Sequence, residues 1–273
     1  MALLIDTHAH LYAPQFDQDQ ASVIARAQEV NQAVVLPNID GPSVEPMRRL
    51  AEMQPNFFFP AMGLHPCHVE ENFEQQLTEL KVHLDATPEA FVAIGETGLD
   101  LYWDQSTLAR QQAALEIQIG WAKQHALPII LHAREAIDPT AELIEANLEG
   151  SRLRGIFHCF DGHAEQAERI LSFEHFWLGI GGIVTYRKDV QVVVQALPLE
   201  RLVLETDSPY LPPVPHRKDK PRRNESSYLR YVAEKIAELK GISYEEVAAV
   251  TNANAQAVFP RMRLDGQMEE YKT

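Results

Sequence analysis

Short apolar runs alternate with longer amphipathic stretches along most of the chain. Each run is brief and almost continuously hydrophobic, which is typical of a β-strand covered on both faces. Eight such runs predict strands at Leu3–Asp6, Ala33–Pro37, Phe57–Met62, Phe91–Gly95, Ile129–His132, Gly155–His158, Trp177–Ile180 and Leu202–Glu205. Because helical patterns separate them, we expect the strands to form one parallel sheet.

The intervening stretches carry apolar residues at helical spacing. They lie at residues 20–31, 43–53, 73–86, 107–125, 139–147, 163–172 and 188–196. Two further helices are predicted after the last strand, Ser227–Lys240 and Ser243–Val258. Eight strand–helix units favour a (β/α)8 barrel, and no Gly-x-Gly-x-x-Gly follows the first strand, as a dinucleotide-binding fold would require. We therefore predict a single α/β TIM-barrel domain over residues 1–260, with extra C-terminal helices, and a polar tail at 261–273.

The length, net charge and cysteine content exclude several classes of protein. A chain of 273 residues can form one α/β barrel, and its net charge of −15 argues against a broadly electropositive surface for nucleic acid or anionic membranes. No apolar stretch reaches the roughly 18 residues of a membrane span, and the first residues do not resemble a signal peptide. The two cysteines are far apart, in no metal-binding or redox spacing. We expect a cytoplasmic monomer without membrane association.

Ionisable residues gather at the carboxyl ends of six predicted strands. They are His8 and His10 after strand one, His65 after strand three, Glu96 after strand four, His132 and His158 at the ends of strands five and six, and Glu205 and Asp207 at strand eight. A barrel brings these ends to one mouth, where its active sites lie. Alternate residues of an extended segment share a face, so His8 and His10 can contact one ion. Imidazole and carboxylate groups bind Zn, Mn, Ni or Fe, and a bridging carboxylate could hold two ions.

Six segments contain these residues. They are Ile5-Asp6-Thr7-His8-Ala9-His10-Leu11, Gly63-Leu64-His65-Pro66, Ile94-Gly95-Glu96-Thr97-Gly98-Leu99-Asp100, Leu127-Pro128-Ile129-Ile130-Leu131-His132-Ala133-Arg134, His158-Cys159-Phe160-Asp161-Gly162 and Leu204-Glu205-Thr206-Asp207-Ser208-Pro209-Tyr210-Leu211. In this order they resemble the motifs of the TatD-like metal-dependent hydrolases, which are related to the amidohydrolase superfamily. The resemblance extends from residue 5 to about 260.

The resemblance implies two divalent ions. By analogy, one ion is held by His8, His10, Glu96 and Asp207, and the other by Glu96, His132 and His158. Glu96 would then bridge the ions, and Asp207 would accept a proton from the attacking water. Glu205 would be the partner of a liganding side chain, although a strand-end pairing with arginine or solvent remains open.

The family also implies a substrate. Its members are described as Mg²⁺-dependent 3′→5′ exonucleases or deoxyribonucleases, so DNA with single-stranded or frayed ends is the expected substrate. Four histidines suit Zn²⁺ or Mn²⁺ better than Mg²⁺, so we expect Zn²⁺ or Mn²⁺ to bind tightly and Mg²⁺ or Mn²⁺ to support turnover. His65, Arg134 and Arg217 are candidate substrate-binding residues, and for His65 a position facing the second metal remains open. Residues 217–223 carry five positive charges and one negative charge beside the predicted mouth.

Two other classes of function remain open. One keeps the metal ions but makes the protein an amidase, a lactonase or an aminoacyl-ester hydrolase, since a fold does not determine its substrate. Amidohydrolase relatives commonly carry a carboxylated lysine on strand four, where this chain has Glu96, which favours the TatD-like interpretation. The other class is a nucleic-acid-binding scaffold with a structural metal. Structural metal sites are usually closed sets of four ligands, so six candidate ligands at an open mouth argue against this class.

Overall fold

A computed structural model of the protein describes residues 1–220 and 222–264. The eight predicted strands are all present, at β1 Leu4–Asp6, β2 Asn31–Pro37, β3 Phe58–Met62, β4 Ala93–Asp100, β5 Ile129–Arg134, β6 Gly155–Phe157, β7 Phe176–Ile180 and β8 Leu202–Leu204. The predicted helices are α1 Gln20–Gln28, α2 Gly41–Met53, α3 Phe73–Ala86, α4 Leu108–His125, α5 Ile137–Glu145, α6 Ala164–Leu171, α7 Lys188–Ala196, α8 Leu229–Lys240 and α9 Tyr244–Val258. Within the described ranges, no helix is long and apolar enough to cross a membrane.

The eight strands form one sheet in sequential order, and every neighbouring pair is parallel. The sheet closes through the segments that follow β1 and β8. Thr7 N–H donates to Leu204 O at 3.0 Å, and Asp207 N–H donates to the carbonyl of His8 at 2.9 Å. The prediction of a single α/β barrel with C-terminal helices is therefore confirmed.

Successive strand residues pack into two different cores, which explains why the strands read as continuous apolar runs. Leu4, Val34 and Ile129 pack outward against the surrounding helices. Ile5, Val35 and Ile130 belong to a second core, which includes Val258 and Phe259 at the end of α9. The described start of the predicted tail joins this second core, since Met262 and Leu264 are buried. Residues 265–273 lie outside the described residues.

The predicted end of the fourth strand was wrong. β4 continues past Gly95 to Asp100, so Glu96 lies inside the strand instead of following it. The register between β4 and β5 shifts between Ile94 and Thr97. This irregularity divides β4 into a hydrophobic first half and a second half that contains polar residues and glycine. β5 also extends two residues beyond His132. Both extensions carry polar side chains further into the mouth of the barrel.

Candidate metal centre

The predicted site residues converge on one large cavity at the carboxyl ends of the strands. The cavity has a volume of about 1450 Å³, and its lining includes His10, His65, Glu96, His132, His158 and Asp207. His8 and Glu96 are almost completely buried at its floor, whereas the side chain of Asp207 is 14% exposed. The barrel thus joins residues that are 200 positions apart in sequence.

One group of side chains surrounds the Oε2 atom of Glu96. His8 Nε2 lies 3.2 Å from this oxygen, and His10 Nε2 lies 3.5 Å from it. The two imidazole nitrogens are only 3.1 Å apart. Asp207 Oδ1 completes the group at 3.8 Å from His8 and 3.5 Å from His10.

A second group surrounds the other oxygen of the same carboxylate. His132 Nδ1 and His158 Nε2 each lie 2.9 Å from Glu96 Oε1. His65 Nε2 lies 3.2 Å from it. Glu96 therefore lies between two clusters of side chains and contacts both, one with two histidines and Asp207 and one with three histidines.

Hydrogen bonds on the far side of the rings determine which nitrogens can bind a cation. Tyr12 donates its hydroxyl hydrogen to Pro37 O at 2.5 Å, so its oxygen accepts from His10 Nδ1–H at 3.0 Å. Likewise, Asp100 Oδ2 accepts from His132 Nε2–H at 2.8 Å. A neutral imidazole carries one hydrogen, so in the neutral form of these rings the lone pairs of His10 Nε2 and His132 Nδ1 point towards Glu96.

Glu205 lies on the far side of the His158 ring, but no hydrogen bond joins it to Nδ1 in the described part of the chain. The carboxylate is fully buried, accepts from the N–H of Cys159, and has one oxygen 3.4 Å from His158 Nδ1. Gly179 leaves space for it, since a Cβ atom there would lie 2.3 Å from Glu205 Oε2. Glu205 Oε2 and the Nδ1 atoms of His8 and His158 are buried without a hydrogen-bond partner among the described residues.

His65 differs from the other histidines of the cluster. Its Nδ1 accepts the backbone N–H of Cys67 at 3.0 Å, which leaves the hydrogen of a neutral ring on Nε2. Burial is the largest influence on this ring and lowers the pKa of His65 to about 4, so the ring is neutral at pH 7. In this tautomer the Nε2–H of His65 donates to Glu96 Oε1 at 3.2 Å. His65 also forms a group with Glu96 and His132 that is close enough together to hold a metal ion.

These contacts fit divalent cations. Without an ion, ring protons face Glu96: burial opposes the charge of His158, but Glu96 and Glu205 outweigh it and raise the pKa of this ring well above its ordinary value. A divalent cation between the rings and Glu96 would replace such protons, because the deprotonated nitrogens of His10, His132 and His158 then offer it lone pairs. Burial opposes the charge of Glu96, but the surrounding imidazoles outweigh it and hold the pKa of its carboxyl well below the ordinary value. The bridging carboxylate is therefore ionised. The clusters are consistent with a binuclear metal site.

The two predicted arginines differ in their position relative to the cavity. Arg134 lines the cavity, and its guanidinium lies 3.7 Å from the centre of the Tyr102 ring. Arg217 is outside the lining and stacks at 4.0 Å over Tyr186, which does line it. Of the predicted basic segment, Arg222 also lines the cavity.

Arg223 does not contribute free positive charge to that segment. Its guanidinium forms two 2.7 Å hydrogen bonds with Asp19 and one of 3.1 Å with Glu225. These carboxylates raise the pKa of Arg223 further above its ordinary value. Residues 217–223 therefore offer a substrate less positive charge than their net charge of +4 suggests. Arg223 instead anchors this segment to Asp19 at the start of α1.

Sequence reasoning missed Asp100 and Tyr12 as site residues. Both were detectable from the alternation of side chains in extended chain, because Tyr12 continues the series of His8 and His10, and Asp100 lies four residues after Glu96 on β4. They were not predicted because each contacts a histidine of the cluster, whereas the sequence was searched for direct ligands of the ions.

A parallel eight-stranded barrel with a buried histidine–carboxylate centre at its mouth has the architecture of a metal-dependent hydrolase. A family model described as TatD related DNase matches residues 5–260. The chain is 40% identical over 264 residues to an uncharacterised metal-dependent hydrolase, YabD, of Bacillus subtilis, with 94% of this chain and 99% of that protein covered. It therefore belongs to the TatD family of metal-dependent hydrolases.

Two further relatives extend the comparison. The crystal structure of YJJV, a TatD homologue from Escherichia coli, superposes with a TM-score of 0.86 at 32% identity, and covers 94% of this chain and 98% of that one. A protein of Pantoea vagans described as the 3′-5′ ssDNA/RNA exonuclease TatD is 32% identical over 94% of this chain and 99% of its own length.

Proposed function

We propose that this protein is a metal-dependent deoxyribonuclease that hydrolyses phosphodiester bonds at DNA ends, of the 3′-5′ exonuclease type. The observation that carries the proposal is the pair of histidine–carboxylate clusters joined by Glu96 at the floor of an open cavity. The description of the Pantoea vagans relative as a 3′-5′ ssDNA/RNA exonuclease supports a nucleic-acid substrate.

His8, His10, Glu96 and Asp207 would hold one divalent ion, and Glu96, His132 and His158 the other. When bound, divalent ions supply Lewis acidity, which activates a water and offsets negative charge on a phosphoryl group. The imidazole-rich donor set suits Zn²⁺ or Mn²⁺, whereas Mg²⁺ prefers oxygen ligands. We expect Zn²⁺ or Mn²⁺ to bind more tightly, with Mg²⁺ or Mn²⁺ supporting turnover.

The protein's own side chains orient the substrate and move the proton. Asp207 is the most exposed carboxylate of the cluster, so it can accept a proton from a water in the cavity. His65 lines the cavity, and its Nε2–H, which faces Glu96 Oε1 at 3.2 Å in the free protein, would turn to a phosphoryl oxygen when substrate is bound. Arg134 lies at the mouth, where a guanidinium suits a flanking phosphate, and Arg217 adds charge behind Tyr186.

Surface charge favours strand ends over long duplexes. The chain has a net charge of −15, which repels a polyanion along most of its surface. The cations at the mouth and ions at the metal centre would reverse that sign locally. A single-stranded end can enter this cavity without bringing a long duplex against the acidic surface.

The test is metal-dependent release of nucleotides from single-stranded DNA. A 5′-labelled oligonucleotide is incubated with the protein and Mg²⁺, Mn²⁺ or EDTA, and shortening from the unlabelled end reports 3′→5′ polarity. Glu96→Gln is expected to lower the rate by about 100-fold or more, because it removes the charge shared by both clusters. The matched control Glu116→Gln changes an exposed residue of α4 and should retain the rate.

The proposal fails if no metal supports release by the wild-type protein, or if Glu96→Gln leaves the rate unchanged. A panel of aminoacyl esters, lactones and amides tests the alternative hydrolase reaction on the same centre. Faster metal-dependent hydrolysis of one of these substrates than of DNA would replace the deoxyribonuclease proposal.

A further inference from the structure

Two consecutive aromatic residues project from the loop after β4 at the mouth of the cavity. Tyr102 is 48% exposed and Trp103 is 71% exposed, and Trp103 lines the cavity that contains the metal centre. Tryptophan is highly buried on average, so a ring left this open beside a functional cavity is available to bind a ligand.

The backbone of this aromatic pair is fixed by the carboxylate that also orients a metal-facing histidine. Asp100 Oδ1 accepts the N–H groups of Tyr102 and Trp103 at 3.0 and 3.3 Å. Its other oxygen accepts from His132 Nε2–H at 2.8 Å. The position of the rings is therefore tied to the metal centre through one side chain.

Arg134 adds a positive charge next to the rings. Its guanidinium lies 3.7 Å from the centre of the Tyr102 ring and 5.6 Å from that of Trp103. Within residues 1–220 and 222–264, Arg134 forms no ion pair with a carboxylate, whereas Arg187 on the same cavity is paired with Asp161 and Asp189. Stacking holds the guanidinium in place and leaves its edge N–H groups free for a phosphate.

We propose that Tyr102, Trp103 and Arg134 form a nucleotide subsite, in which an unpaired base stacks on Trp103 and Arg134 binds the phosphate next to the one at the metal centre. The inference rests on the proposed function and specifies the part of the substrate that is recognised. A base within a duplex already has both faces covered, so stacking on Trp103 selects single-stranded ends.

The experiment measures binding in EDTA, where turnover is absent. The ligands are a short single-stranded deoxythymidine oligonucleotide and an abasic oligonucleotide of the same length and phosphate number. Base stacking on an aromatic side chain contributes enough that Trp103→Ala should weaken binding of the thymidine ligand by about fivefold or more. Binding of the abasic ligand should be unchanged, and Trp103→Phe should restore most of the difference.

Two further variants separate the parts of the subsite. Arg134→Met should weaken binding of both oligonucleotides by a similar factor, because both contain the phosphates. Trp177→Phe is the matched control, since Trp177 is packed against the second core and donates to Glu200 O at 3.0 Å, outside the cavity lining. It should bind both ligands as the wild type does.

The subsite is overturned if Trp103→Ala binds both ligands as tightly as the wild type, or loses affinity for both equally. These outcomes are distinct from failure of the proposed reaction. Base-dependent binding without metal-dependent cleavage would retain the subsite and reject the deoxyribonuclease. Cleavage with binding that ignores the base would retain the deoxyribonuclease and reject the subsite.

Discussion

Replacing Asp100 by asparagine tests whether Asp100 determines which ring nitrogen of His132 carries the hydrogen and which can bind a metal ion. In the wild type, Asp100 Oδ2 accepts from His132 Nε2–H, which leaves Nδ1 free to face Glu96. Asparagine can keep the Oδ1 contacts with the backbone N–H groups of Tyr102 and Trp103. Its amide NH₂ would then face His132 Nε2 as a donor, so the ring hydrogen would move to Nδ1.

The expected loss is confined to one ion. Outer partners of metal-ligating histidines typically contribute 10- to 100-fold in metal affinity, which is about 1.4–2.7 kcal/mol. Asp100 contacts only His132 within the two clusters, so the ion held by His132 and His158 should bind about 10- to 100-fold more weakly. The ion held by His8, His10 and Asp207 should be little affected.

Isothermal titration calorimetry of the metal-free protein with Mn²⁺ or Zn²⁺ measures both affinities. The wild type should bind two ions, and Asp100→Asn one ion at wild-type affinity and one more weakly. Asp104→Asn is the matched control, because Asp104 is exposed in the same loop and its side chain accepts hydrogen bonds from the neighbouring Ser106. Two ions bound by Asp100→Asn as tightly as by the wild type would refute the assignment of the His132 hydrogen.

Three other perturbations address packing, stability and metal binding. Gly179→Ala should reduce metal affinity by about tenfold or more without unfolding the barrel, because the new Cβ would lie 2.3 Å from Glu205 Oε2; unchanged metal affinity would contradict this. Gln118→Ala should lower the free energy of unfolding in urea by about 2–4 kcal/mol, because the buried Gln118 accepts Leu64 N–H at 2.8 Å and donates to Thr97 Oγ1 at 2.6 Å. A loss below about 0.5 kcal/mol would contradict a stabilising role of these two hydrogen bonds. A divalent ion at 100 times its dissociation constant should raise the free energy of unfolding by about 2.7 kcal/mol per site, and EDTA should abolish this increase. If the urea midpoint does not change with metal, the ion does not bind the folded state in preference to the unfolded state.

The fold could be predicted because each barrel strand is buried on both faces, so it reads as an uninterrupted apolar run. The exception was the second half of β4, Glu96–Asp100, where polar residues and Gly98 replace that pattern. This half extends into the mouth of the barrel beside β5, with Gly98 opposite His132. Function there overrides the hydrophobic signal that marks a strand.

The candidate ligands could also be predicted, because a barrel brings the ends of its strands together whatever the details of packing. The partners of those ligands could not. The contact of Asp100 with His132 depends on the register of β4 against β5, and Glu205 reaches its position only because Gly179 leaves space. The donor character of His65 depends on one backbone hydrogen bond in the turn that follows it. Such details follow from tertiary geometry.

An anomalous difference map from a Mn²⁺-loaded crystal tests the central claim most directly. The structure predicts two peaks on opposite sides of the Glu96 carboxylate, one bounded by His8, His10 and Asp207 and the other by His132 and His158. His65 should remain hydrogen bonded through Nε2 and outside both coordination shells. A single peak, or two peaks that do not share Glu96, would contradict the bridged binuclear centre.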